Sequence, residues 1–156
     1  MWSWLKLIPL TVLIISAIKT NQRFQEDVHR GEDRVSHLRI MDSLGIRCPK
    51  VVCCQMLLET ADLTSKIYVE NHNGFGMKYN QHGYADYTLN GHAHYHCIVE
   101  SILDYKEWQD RFFKDRVFKS DEEYMYTLQH LPGGLSYAED PNYISKLKIK
   151  YKKYYQ

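Results

Sequence analysis

Val51 to Lys78 reads VVCCQMLLETADLTSKIYVENHNGFGMK. This stretch decides the fold, because it sets a helix of almost wholly apolar residues before a carboxylate and follows them with an Asn/Gly/Phe/Gly turn. From Val51 to Leu58 the one clearly polar side chain is Gln55. Gln55 and Glu59 are four residues apart, so they share one stripe of a helix whose other faces are greasy. A Glu held there is partly desolvated, which raises its pKa. A carboxylic acid that keeps its proton near neutral pH is what glycosidic-bond cleavage requires, since the leaving oxygen must be protonated as the bond breaks. Glu59 is therefore the candidate general acid. The residues alone leave a second reading open, in which Glu59 is a hydrogen-bonded structural group at the end of a buried helix.

Working outward, Val35, Leu38, Met41 and Leu44 recur every three residues and predict an amphipathic helix within Asp33 to Leu44, ended by Gly45. Pro49 suits the first turn of the Glu59 helix, where no backbone donor is needed. The stretch after Thr60 reads as loop, given Asn71, Asn73, Gly74 and Gly76. GYADYTLNGHAHYHC, Gly83 to Cys97, predicts a hairpin of two short strands around Asn90-Gly91, a strong two-residue turn signal. His92, His94 and His96 alternate along the second strand and would face one side of it. Three such imidazoles could take zinc, but the more ordinary reading is an exposed or sugar-facing strand, so no metal is expected.

Ile98 to Phe113 returns to helix, with Ile98, Ile102, Tyr105, Trp108 or Gln109, and Phe112 on one face. Ser120 and Glu123 make a capping box for a short helix toward Gln129. Pro132-Gly133-Gly134 breaks the chain, and Asp140-Pro141 starts a last helix. The fold class that follows is α+β, mainly α: a helical body with one small β-hairpin lobe.

At 156 residues the chain suits one domain plus an N-terminal segment. Its net charge of +1 with neutral histidines gives no reason to expect a nucleic-acid partner, which would call for a strongly basic stripe. Lysines 146, 148, 150, 152 and 153 concentrate in the tail, where they complement a helix dipole. Trp2 to Ile18 is mostly apolar and reads as an export signal or a short signal anchor, so residues 1–20 are assigned to export, 21–32 to a polar tether and 33–156 to the domain. Export permits disulfides. Cys53 and Cys54 suit small apolar fillers of a buried helix, while a bridge from Cys48 or Cys54 to Cys97 is open.

Four blocks carry a resemblance: QMLLET at Gln55 to Thr60, NGFGMK at Asn73 to Lys78, ESILDYKEWQ at Glu100 to Gln109, and YAEDPNYISKL at Tyr137 to Leu147. In this order they resemble the peptidoglycan glucosaminidase domains of bacteria and phages, the mannosyl-glycoprotein endo-β-N-acetylglucosaminidase-like family grouped as glycoside hydrolase family 73. The resemblance implies a lysozyme-like architecture, with Glu59 as catalytic acid and Asn73, Phe75 and Gly76 opening a small β-lobe along the substrate groove. It also implies that Tyr137 reaches the active site. The family's second acidic residue, usually Glu, is absent: Asp86 is the only acidic side chain between Asn71 and Val99. Either Asp86 is a shorter replacement or the site works without a second protein carboxylate.

The expected activity is an exported hydrolase cutting the β-1,4 bond after N-acetylglucosamine in peptidoglycan, with catalytic residues Glu59, Tyr137 and Asp86. Gln55, Asn73, Phe75, Gly76, Tyr84, Tyr95 and Trp108 are the expected substrate contacts, Tyr84, Tyr95 and Trp108 because aromatic faces suit sugar rings. No cofactor is expected, and the chain is expected to be a monomer outside the cytoplasm. The alternatives are a lytic transglycosylase of the same fold and a wall-binding module without catalysis.

Overall fold

The structure, a computed structural model, describes residues 34–79 and 83–156. Among them are six helices and one two-stranded sheet. The helices are α1 (Arg34–Ser43), α2 (Pro49–Glu59), α3 (Lys66–Asn71), α4 (Ile98–Phe113), α5 (Asp121–Gln129) and α6 (Tyr143–Tyr155), and the strands are β1 (Tyr87–Leu89) and β2 (His92–His94). This is the expected helical body with a β-hairpin lobe. The export and tether segments lie outside the described residues.

The α2 helix occupies the centre. Pro49 stands in its first turn, and every residue from Val51 to Leu57 is buried. An all-round apolar helix is stable only where neighbours cover each face, and α6, α1 and α5 all pack on α2. Gln55 is the one polar side chain among those seven, and the aromatic face of α4 reaches it through Tyr105. Thr60 ends the helix: its hydroxyl donates to the Met56 carbonyl at 2.6 Å and accepts from the Leu63 amide at 3.0 Å. The chain then turns through Ala61, Asp62 and Leu63, three successive non-glycine residues at positive φ.

Two sequence readings are corrected here. The stretch after Thr60 is not all loop, because α3 forms within it, capped by the Ser65 hydroxyl, which accepts from the Tyr68 amide at 3.2 Å. The hairpin forms about Asn90-Gly91, both at positive φ, as this two-residue turn requires. Its second strand nevertheless ends at His94, so His96 lies beyond the ladder and is exposed. The three histidines therefore do not share a strand face. Among the described residues no cluster of His, Cys, Asp and Glu suits a metal ion.

All four thiols are free. Cys48 precedes α2 and faces Asp121 at the start of α5, Cys54 is buried in the core, and Cys97 caps α4, so the bridge left open to Cys97 is not formed. Burial pushes the Cys48 and Cys54 thiols up to about 12, which keeps them protonated and inert as nucleophiles.

Candidate active site

Glu59 ends α2 half-buried, and desolvation raises its pKa above the ordinary carboxylate value. The Tyr143 hydroxyl, at the first turn of α6, is its hydrogen-bonding neighbour and opposes part of that rise. Tyr137 lies within electrostatic reach of the same carboxylate. Its ring sits among Trp108 at 5.2 Å, Tyr143 at 5.5 Å and Tyr105 at 6.2 Å between centroids. Gly76 also lies against this carboxylate: an added Cβ would stand 3.7 Å from Glu59 Oε2. Thus Glu59, Gly76, Tyr137, Tyr143 and Trp108 converge from four separate parts of the sequence.

The Asn73–Met77 turn owes its shape to one side chain. Asn73 Oδ1 accepts from the amides of Phe75 and Met77 at 3.2 and 3.0 Å, and its Nδ2 donates to the carbonyls of Met77 and Ala93, both at 2.9 Å. A buried amide with these four bonds fixes the turn and ties it to β2. Gly74 lies close against α2: a Cβ there would stand 2.6 Å from Met56 Cε, which would have to shift. Phe75 stacks on Tyr105 at 4.1 Å, and Gly76 takes φ +64° opposite Glu59. Asn73 and Phe75 are buried, so they hold the turn in place and present no surface to a polymer.

Gln55 and Tyr95 are likewise withdrawn from solvent. Tyr95 is fully buried and donates to Asp104 Oδ2 at 2.6 Å, which occupies the hydroxyl expected at the groove. Gln55 belongs to a continuous buried chain of hydrogen bonds. Gln109 Nε2 donates to Tyr124 at 2.8 Å, Tyr124 and Tyr105 are 2.9 Å apart, and Tyr105 donates to Gln55 Oε1 at 2.8 Å. Gln55 Nε2 then reaches the Tyr143 hydroxyl at 3.5 Å. Each hydroxyl has one proton to give. Because Tyr105 gives its own to Gln55, Tyr124 must be the donor to Tyr105, and Tyr143 is left free to donate to Glu59. The far end is anchored where Gln109 pairs with the Arg47 backbone at 2.9 and 3.0 Å. Burial raises the pKa of Tyr105, Tyr124 and Tyr143, keeping all three hydroxyls neutral donors.

Tyr143 and this chain behind it were missed by the sequence reading. The available signal was the second tyrosine of YAEDPNY, six residues after Tyr137. Tyr84 is exposed on the hairpin side, as is Tyr87, whose ring stacks on His94 at 4.3 Å. Asp86 lies just before β1 with an exposed carboxylate 3.5 Å from His94 Nδ1, and its amide donates to the His94 carbonyl at 2.9 Å.

Residues 37–156 match the family described as mannosyl-glycoprotein endo-beta-N-acetylglucosaminidase, the glucosaminidases. The chain belongs to the glucosaminidase family. It is accordingly a glycoside hydrolase of the cell-wall-degrading kind. Among solved structures, the chain is similar to the catalytic domain of the autolysin Auto from Listeria monocytogenes, with a TM-score of 0.54, 21% identity and 83% of each chain covered. At that identity the likeness speaks for the glucosaminidase fold alone. No curated protein sequence matches the chain.

Proposed function

We propose that this glucosaminidase cleaves the β-1,4 bond after N-acetylglucosamine in peptidoglycan glycan strands, with Glu59 protonating the leaving oxygen. The observation that carries this reading is a desolvated Glu59 carboxyl, its pKa raised, facing Gly76 with two tyrosines beside it. A raised pKa keeps the proton available near neutral pH, and the glycine leaves room for a sugar ring above the carboxyl. Trp108, half-buried beside Tyr137, offers an aromatic face to a sugar at the site.

At the anomeric carbon the substrate's own N-acetyl group supplies the nucleophile, and Tyr137 stabilises the developing charge. Asp86 supports this route by its weakness as a rival: it is shorter than the family's Glu, exposed, and beside His94. Peptidoglycan lies outside the cytoplasm, so the domain acts there, delivered by residues 1–20. No described helix is long and apolar enough to cross a membrane, and the apolar N-terminal segment lies outside the described residues.

Digestion of purified peptidoglycan, with mass analysis of the new chain ends, tests the reading. New reducing ends on N-acetylglucosamine are expected. A 1,6-anhydro ring with no new reducing end would identify a lytic transglycosylase, and binding without cleavage would identify a wall-binding module.

A further inference from the structure

A cavity of about 340 Å³ opens between α4 and the β-lobe, lined by Met77, Lys78, Gly83, Asp104, Glu107, Trp108 and Arg111. Its α4 residues fall at positions i, i+3, i+4 and i+7, so one helical face supplies them all. Trp108 is a wall shared with the Glu59 site, since its ring also meets Tyr137 at 5.2 Å. The chain at Gly83 comes down on Asp104 so closely that an added Cβ would stand 2.1 Å from Asp104 Oδ1. The cavity therefore adjoins the Glu59 site through Trp108 and is bounded at Asp104 by the chain at Gly83.

Its charges distinguish it from a sugar site. Two carboxylates, Asp104 and Glu107, and two cations, Lys78 and Arg111, line one cavity around a single indole. Asp104 is committed to Tyr95 at 2.6 Å, and Lys78 Nζ donates to the Gly91 carbonyl at 3.0 Å. Glu107 and Arg111 are four residues apart, the spacing of an intrahelical ion pair, yet among the described residues neither is in one. Arg111 instead lies over the Phe112 ring at 5.1 Å. By contrast Asp110, one position before Arg111, pairs with both Arg47 and Lys106. A glycan strand brings no ammonium, and its lactyl carboxyls are tied up as amides wherever stems are attached, whereas a peptide stem carries both a carboxylate and an ammonium for these unpaired charges to meet.

We propose that this cavity holds the peptide stem attached to the glycan strand, with Arg111 and Lys78 taking a stem carboxylate and Glu107 its amino group. The inference rests on the peptidoglycan reading above and narrows it: the substrate is peptide-bearing glycan, and the stem is a recognition element.

The test compares the full chain on two forms of one wall glycan, soluble peptide-bearing strands and the same strands stripped of peptide by an amidase. The wild type is expected to show kcat/KM roughly five- to tenfold higher on peptide-bearing strands, as one or two partly exposed charge-assisted contacts would supply. The double variant E107Q/R111Q is expected to bring that ratio close to one. Both side chains are exposed, where substitutions away from packed features leave the fold intact. Equal wild-type rates on the two substrates would overturn the proposal without the variant being needed. So would a ratio that E107Q/R111Q leaves unchanged, or an equal loss on both substrates, which would make these residues part of the grip on the sugars. Cleavage of stripped strands alone leaves the glucosaminidase reading standing and the stem site refuted; cleavage of neither refutes both.

Discussion

The Tyr143 hydroxyl accepts from Gln55 Nε2 at 3.5 Å and lies beside the Glu59 carboxylate, at the end of a buried hydrogen-bond chain that begins at the Arg47 backbone. Two opposing influences thus act on one proton: burial raises the pKa of Glu59 and Tyr143 moderates the rise. Both the direction of donation and the position of the hydroxyl are held by groups that cannot reach water, so this balance is built into the core.

Glu59→Gln is expected to lower glycan cleavage by about 10²- to 10⁴-fold, since it keeps the shape and removes the transferable proton. The same substitution should stabilise the fold at neutral pH. A folded-state pKa above the unfolded one means that the native state binds more protons between the two values, so stability falls as pH rises through that window. Below the unfolded pKa both states are protonated and the difference vanishes. Thermal melts of wild type and variant should therefore converge in acid and separate toward neutrality, the variant melting higher; wild-type-like turnover in the variant would remove Glu59 from the mechanism.

Tyr143→Phe deletes the one hydrogen bond that lowers the Glu59 pKa. Glu59 then holds its proton to higher pH, and the alkaline limb of the kcat profile should move upward. The variant also strips Gln55 Nε2 of its acceptor, a loss of about 1–3 kcal/mol for a buried donor, readable by urea unfolding. An unmoved alkaline limb would show that Tyr143 acts only in packing.

Tyr137→Phe is expected to lower kcat more than it raises KM, because its hydroxyl is assigned to the reacting centre beside Glu59. Its ring contacts with Trp108, Tyr105 and Tyr143 survive the change. A variant that loses thermal stability but keeps its rate per folded molecule would make Tyr137 a core residue.

Asp86→Asn separates the two routes at the anomeric carbon. With the N-acetyl group as nucleophile the variant keeps much of its rate and the product retains its anomeric configuration, which NMR of fresh digests reads directly. An inverting enzyme would need the Asp86 and Glu59 carboxyls roughly 6.5–9.5 Å apart around a water. A folded but silent Asp86→Asn, rescued by azide, with inverted product from the wild type, would establish that second route.

Local pattern was enough for much of this protein. The apolar run Val51–Leu57 announced a central helix, Asn90-Gly91 a hairpin, and Ser120 with Glu123 the start of a helix, because each depends on neighbours within a few residues. The family blocks singled out Glu59, and its elevated pKa followed from its place at the end of a buried helix. Tertiary structure decided the rest. Whether Tyr95 lines a groove or donates to Asp104, and whether Gln55 meets substrate or Tyr105, depends on which side chains arrive from elements far along the chain. The helical stripe of α4 has the same sequence spacing whether it faces core, solvent or cavity. The three-residue left-handed turn at Ala61–Leu63 has no glycine to betray it. Tyr143 was within sight in the sequence, but it and Glu59 are 84 positions apart, and only the packing of α6 on α2 brings them together.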